Sequence, residues 1–134
     1  MTENYLNLDE LLSEKRQVKF LGTEFELGYI PCGLSIPILK LHNAQIEREL
    51  EAHKKGSELS QEELLENEIR VVSTFCSFYD PRFDSSFIAK NATDKQLYAM
   101  YVQIVSSIVE NFWTANQNQK ETETKPKKKP TGRN

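Results

Sequence analysis

Residues 17–30, QVKFLGTEFELGYI, carry the clearest period-two signal in this 134-residue chain. Val18 and Phe20 alternate with Gln17 and Lys19. Across a Gly-Thr pair, Phe25, Leu27 and Tyr29 alternate with Glu24 and Glu26. If Gly22-Thr23 forms a two-residue type II′ loop, the register follows: Phe20 faces Phe25, Val18 faces Leu27, and Lys19 faces Glu26. Apolar side chains then meet on one face and opposite charges on the other. A two-stranded hairpin is marginal by itself, so it must find a helical layer to cover its apolar face.

Helix signals fill most of the remainder. Residues 6–14, LNLDELLSE, read as a short amphipathic turn or helix, with Asn7 or Asp9 as cap. Ile30-Pro31-Cys32-Gly33 ends the second strand. A helix is expected from about 36 to 55, capped by Ser35, with Pro37 in its first turn and Gly56 closing it. Ser60-Gln61-Glu62-Glu63 is a capping box that opens a helix over 61–79, and Asp80-Pro81 stops it. Residues 82–92 read as a linker anchored by Phe83 and Phe87. A second capping box, Thr93 to Gln96, starts a helix that runs to about 114.

The fold class this implies is α+β, mainly α: an N-terminal β-hairpin packed on three main helices, followed by a disordered C-terminal tail. Residues 1–114 form the single helical domain and residues 115–134 the disordered basic tail, too polar to offset its ordering entropy. The expected core comprises Val18, Phe20, Phe25, Leu27, Leu39, Ile46, Leu50, Ile69, Val72, Phe75, Leu97, Tyr101, Ile104 and Ile108.

Charge is unevenly distributed. Residues 115–134 hold Lys120, Lys125, Lys127, Lys128, Lys129 and Arg133 against Glu121 and Glu123, a net +4. The whole chain carries −3, so residues 1–114 carry −7. An acidic body argues against nucleic acid as a partner, because a nucleic-acid-binding face is itself basic. The tail has two readings: a weak, salt-dependent contact with an acidic surface, or a solubilising end. No apolar run approaches the ~18 residues of a membrane span, and acids stand where a signal peptide carries Lys or Arg. A cytosolic protein that does not enter membranes is expected. Cys32 and Cys76 lie in no metal-binding spacing and read as a loop thiol and a core residue.

Catalytic chemistry finds no foothold, so no enzyme is expected. His42 and His53 lie on one helix about 16 Å apart, too far to share an ion. There is no HExxH, Walker loop, GxSxG or GxGxxG. Acid pairs such as Glu62-Glu63 read as a solvated helix face. Glu68 stands between Leu64, Leu65, Val72 and Phe75 on the helical wheel, either where the apolar face emerges into solvent or where a partner's cation is met. No catalytic, cofactor-binding or metal-ligating residue is assigned, and no cofactor is expected.

The most informative feature is an excess of apolar helix surface. Helix 61–79 is apolar over about half its circumference, wider than the somewhat over 100° of an ordinary surface helix. Helix 94–114 has one edge of Leu97, Tyr101, Ile104 and Ile108, and a second of Tyr98, Val102, Val109 and Trp113. Either the hairpin covers that second edge, or it forms an oligomer or partner surface, where Tyr and Trp are favoured anchors. Tyr98, Val102, Val109 and Trp113 are the candidate partner-binding residues.

The succession LNLDELL, QVKFLGTEFELGYIP, an acidic helical stretch, FYDPRFDSSF and TDKQLYAMYVQIVSSIVENFW, over roughly residues 6–113, resembles the tail assembly chaperones of long-tailed bacteriophages. The resemblance is one of plan and texture, so no individual site residues carry over. It implies a non-catalytic protein of the host cytoplasm that binds the tape measure protein and keeps it soluble. Such a protein helps major tail protein subunits polymerise and leaves before the virion is complete. It further implies that a longer form, made by a programmed frameshift, recruits the major tail protein; the Lys127-Lys128-Lys129 run is where an A-rich slippery sequence would lie. The rival from another class is a structural virion component, such as a tail-completion or head–tail joining protein. A small nucleic-acid-binding regulator is the third, disfavoured by the acidic body.

Overall fold

A computed structural model of the chain describes the backbone of residues 15–123 and the side chains of residues 15–110. The fold is α+β and mainly α, as expected. An antiparallel hairpin of β1 (Gln17–Phe20) and β2 (Thr23–Glu26) precedes α1 (Cys32–Lys54), α2 (Gln61–Tyr79), α3 (Ser85–Asn91) and α4 (Asp94–Glu123). The expected helix over 6–14 and the tail residues 124–134 lie outside the described residues.

The hairpin forms where its alternation predicts, but in a different register. Val18 pairs with Phe25, Lys19 with Glu24 and Phe20 with Thr23, so Leu21 and Gly22 are the turn residues. Both have positive φ, 50° and 85°, which is the type I′ pattern rather than type II′. Type I′ matches the right-handed twist of the flanking strands, at the cost of placing a leucine in the left-handed region. The shift is two residues, so every side chain keeps its expected face. Leu27 still follows the ladder, donating its N–H to the Arg16 carbonyl at 2.7 Å.

Gly22 has nothing within 4 Å of an added Cβ, so a side chain there adds only backbone strain. Gly22→Ala is therefore expected to cost about 1–2 kcal/mol. In urea the midpoint should fall while the slope stays unchanged. An unmoved midpoint would mean that the turn re-forms as another type.

Helix α1 begins at Cys32, earlier than the expected 36. Its N-cap is Pro31, which makes no side-chain cap bond, so Ser35 is inside the first turn and not the cap. The early start brings Leu34 into the helix, where it is buried on the same face as Ile38 and Gln45. Pro37 then falls beyond the first turn, where its missing N–H leaves one helical bond unmade. The core stripe is consequently rotated. Leu39 is half-buried, but Ile46 and Leu50, expected in the core, are 39% and 58% exposed. At the far end Gly56, with φ of 78°, closes the helix as expected. Its N–H bonds His53 O and that of Ser57 bonds Ala52 O, both at 2.9 Å, a Schellman motif.

Both capping boxes form. The Glu63 N–H donates to Ser60 Oγ at 3.1 Å and the Ser60 N–H to Glu63 Oε1 at 3.0 Å. The Gln96 N–H donates to Thr93 Oγ1 at 3.1 Å and the Thr93 N–H to Gln96 Oε1 at 2.9 Å. The expected linker contains the short helix α3, capped by Asp84, whose Oδ1 accepts from the Phe87 N–H at 2.9 Å. Helix α4 continues past 114 to Glu123, through a run with no Gly or Pro to stop it.

The core is aromatic where the hairpin meets the helices. Phe83 stands 5.2 Å from Phe25, 6.2 Å from Phe20 and 4.9 Å from Phe87, and Phe25 stands 6.0 Å from Phe75. Among the other expected core residues, Leu27, Val72, Leu97, Ile104 and Ile108 are buried. Val18, Ile69 and Tyr101 are half-buried against the cluster. Both cysteines are free: Cys76 is buried, and Cys32 is exposed as the first residue of α1. Burial, with Asp80 adding to it, pushes the Cys76 thiol up to about 12, so it stays protonated and unreactive at neutral pH.

Candidate functional site

Helix α4 buries Leu97, Met100, Ile104, Ser107 and Ile108, an arc of about 100°. Turning round the helix from that arc, the half-buried Tyr101 and Val105 come next, then Tyr98, Val102 and Val109. Tyr98 is 58% exposed, Val109 is 45% exposed, and Val102 is half-buried. Trp113 belongs to α4, but its side chain lies outside the described residues.

The hairpin does not cover this edge. Its aromatic face is spent on Phe75, Tyr79 and Phe83. Its contact with α4 is made by Arg16, on a different side of the helix. That guanidinium donates to Ser107 Oγ and to the Gln103 carbonyl at 3.4 Å, and lies 3.7 Å from Glu110 Oε1.

A second edge, which sequence reasoning misses, lies on α1. The His42 ring Nδ1 is 3.0 Å from the Tyr101 hydroxyl, which ties α1 to α4. Turning round α1 from its buried stripe through His42 leads to Leu39, Ile46 and Leu50. The same turn round α4 through Tyr101 leads to Tyr98, Val105 and Val109. The two apolar edges therefore begin on either side of the His42–Tyr101 contact, with Ile46 and Leu50 exposed on α1 and Tyr98 and Val109 exposed on α4. The sequence signal for this edge is the stripe Leu39, Ile46 and Leu50 itself, which periodicity alone reads as core.

On α2, the half-buried Glu68 has its Oε1 buried with no hydrogen-bond partner among the described residues. Burial, then the charge of Asp94, raises its carboxyl above the ordinary glutamate value. Tyr101 is raised as well, by burial first and then by Glu68 and Glu49, with a hydrogen bond from Asn67 opposing. Asn67 is buried, and its Oδ1 is also unpartnered among the described residues.

A glutamate whose folded value is raised binds protons more tightly folded than unfolded. Its ionisation destabilises the fold as pH rises from 4.5 through that raised value. Glu68→Gln removes the penalty. The variant is expected to melt above the parent protein at pH 7, with the difference vanishing well below pH 4.5, where Glu68 is protonated in both states. Equal melting temperatures at pH 7 would mean that the carboxylate is fully hydrated.

Among the described residues, no three His, Cys, Asp or Glu side chains are grouped to hold a metal ion. None of the described helices is long and apolar enough to cross a membrane. A smaller apolar patch lies near the hairpin, where Tyr29, Phe78 and Tyr79 are exposed and the Phe78 and Tyr79 rings stand 4.9 Å apart. No protein family, curated protein or solved structure matches the chain.

Proposed function

We propose that this protein is a tail assembly chaperone of a long-tailed bacteriophage, which binds the tape measure protein in the host cytoplasm and keeps it soluble. The observation that supports this reading is the set of exposed apolar side chains on two helices in contact, Ile46 and Leu50 on α1 and Tyr98 and Val109 on α4. A contiguous apolar face on a folded domain serves to cover apolar surface elsewhere. An acidic body keeps such a protein dispersed while it does so. A long helical client offers many amphipathic segments, and repeated weak contacts along it sum to a firm but releasable grip. The protein acts by binding and not by catalysis.

Coexpression with the long helical tape measure reading frame tests the proposal. The client is expected in the soluble fraction with this protein and in the pellet without it. Mass spectrometry of purified virions should then lack this chain; its presence in defined copies would make it a structural component instead. The nucleotides encoding Lys127–Lys129 test the longer form, which would bring in the major tail protein.

A further inference from the structure

We propose that residues 6–14 form a capped helix whose Leu8, Leu11 and Leu12 cover the exposed Tyr29, Phe78 and Tyr79 beside the hairpin, so that the chain shields this patch with its own N-terminal segment. Such a cover is independent of what the protein binds elsewhere. LNLDELLSE lies outside the described residues, but its sequence carries a full set of helix-start signals. With Asn7 as N-cap, Glu10 stands at the third helical position and completes a capping pair. Leu6 precedes the cap and Leu11 takes the fourth helical position, the two ends of a hydrophobic staple. Leu8, Leu11 and Leu12 then share an arc of about 100°, with Asp9, Glu10 and Ser13 turned away from it. A helix of about two turns does not hold by itself in water, so these leucines need a surface to rest on.

The place where the segment joins the fold selects that surface. The Arg16 N–H donates to Glu26 Oε2 at 2.7 Å and the Arg16 carbonyl accepts from the Leu27 N–H at 2.7 Å, so the chain arrives alongside the end of β2. Leu12 is four residues earlier, a reach of about 14 Å at full extension. Phe25, the neighbour of Glu26, has its ring 6.5 Å from that of Tyr79, and Tyr79 stands 4.9 Å from Phe78. Tyr29 is two residues past Leu27; it and Glu26 add to burial in holding the Tyr79 hydroxyl above its ordinary value, as close neighbours do. Tyr29 and Phe78 are each more than half exposed. On its other side Arg16 meets Gln103 and Glu110 of α4, exposed and polar residues that offer leucines nothing. A tether of so few residues holds the leucines near the aromatic patch at an effective concentration of roughly millimolar.

Nuclear magnetic resonance of the full chain tests this. Nuclear Overhauser contacts are expected from the Leu8, Leu11 or Leu12 methyls to the Phe78 and Tyr79 rings, unchanged on dilution. The Leu11 and Leu12 amides, the first with helical carbonyl partners, should exchange about 10- to 100-fold more slowly than in an unstructured peptide, the modest protection of a locally opening element. Phe78→Asp should erase the contacts and return both amides to the unstructured rate, while the Val18 and Phe25 amides keep their protection. Leu8→Asp makes the same test from the segment's side without touching the described core, and should have the same effect even if Phe78→Asp unfolds the chain. Methyl contacts to Ile46, Leu50, Tyr98 or Val109 instead would put the segment on the α1–α4 edge and overturn the proposal. So would contacts to Phe78 and Tyr79 that fade on dilution, since the segment would then cover a second copy. Leu11 and Leu12 amides at the unstructured rate, with no methyl contact to either ring, would mean that the patch stays open, and the proposal would fall. Protection that survives Leu8→Asp and Phe78→Asp alike would overturn it too, by making the helix independent of the patch.

Discussion

Phe83→Ala lowers the free energy of unfolding by about 3–5 kcal/mol, the range for an aromatic deleted from a packed core. That is a large share of the roughly 5–15 kcal/mol typical of a domain. Phe83 follows the end of α2 and is fully buried, with its ring against Phe25, Phe20 and Phe87 at once. It therefore joins the hairpin and the α3 segment to the main helices, and a cavity there has strands on one side and helices on the other. The hairpin has two strands of four residues each and depends on this contact, so it should lose protection together with the core. Hydrogen exchange of the Val18 and Phe25 amides and the urea midpoint of the whole chain should drop in parallel. Phe87→Ala, at a half-buried position, is expected to cost clearly less. If Phe83→Ala released the hairpin amides while leaving the helix midpoint in place, the hairpin would be an independent appendage and not part of one cooperative core.

Helix starts were legible because they rest on local hydrogen bonds. Ser60-x-x-Glu63 and Thr93-x-x-Gln96 each satisfy two orphan backbone donors, whatever the surroundings, and both helices begin where those boxes say. Asp84 had the same capacity, but it opens a helix of seven residues, too short to show a period. The start of α1 was hidden for the opposite reason. Its cap is Pro31, which offers no side-chain bond to recognise, and Ser35 supplies a plausible decoy. In the hairpin, period two places the faces correctly, but the Gly in Leu21-Gly22-Thr23 fits either a type II′ turn at 22–23 or a type I′ turn at 21–22. Strand twist, a property of the three-dimensional ladder, favours the second.

The exposed apolar edge of α4 was legible and that of α1 was not, and one ambiguity explains both. A helix with two apolar stripes tells a reader that more surface exists than a single contact needs, without telling which stripe faces inward. On α4 the bulk of Ile104 and Ile108 points to the right one. On α1 the inward stripe is Leu34, Ile38 and Gln45, broken by a polar residue and beginning before the expected helix, so the cleaner stripe of Leu39, Ile46 and Leu50 mimics a core face. Glu68 is conspicuous on the wheel as an acid among apolar residues. How far it is buried depends on how the helices pack, which no local pattern encodes.

Leu50→Lys combined with Tyr98→Lys should abolish client solubilisation while leaving the fold intact. Both side chains are more than half exposed, so replacing them opens no cavity. Local electrostatics is close to balanced, since Lys54 stands four residues after position 50 and Lys95 three before position 98. Against this, a lysine at position 50 would lie in the last turns of α1, the negative end of that helix, and one at position 98 would stand four residues after Asp94 on α4. The melting temperature should stay about the same. Binding loses twice over. Two apolar anchors disappear, each worth roughly 2 kcal/mol or more if it is a centre of the interface. In addition, two cations now stand where an apolar client face would dock, and each must be desolvated for it to do so. Together these predict at least a hundredfold weaker binding, with the client back in the pellet. Ser86→Lys, an exposed change on α3 away from both edges, adds positive charge too and should leave the client soluble. If the double variant unfolds, the two edges are core and not a surface; if it folds and still solubilises the client, binding uses another face, with the exposed Tyr29, Phe78 and Tyr79 next to be tested.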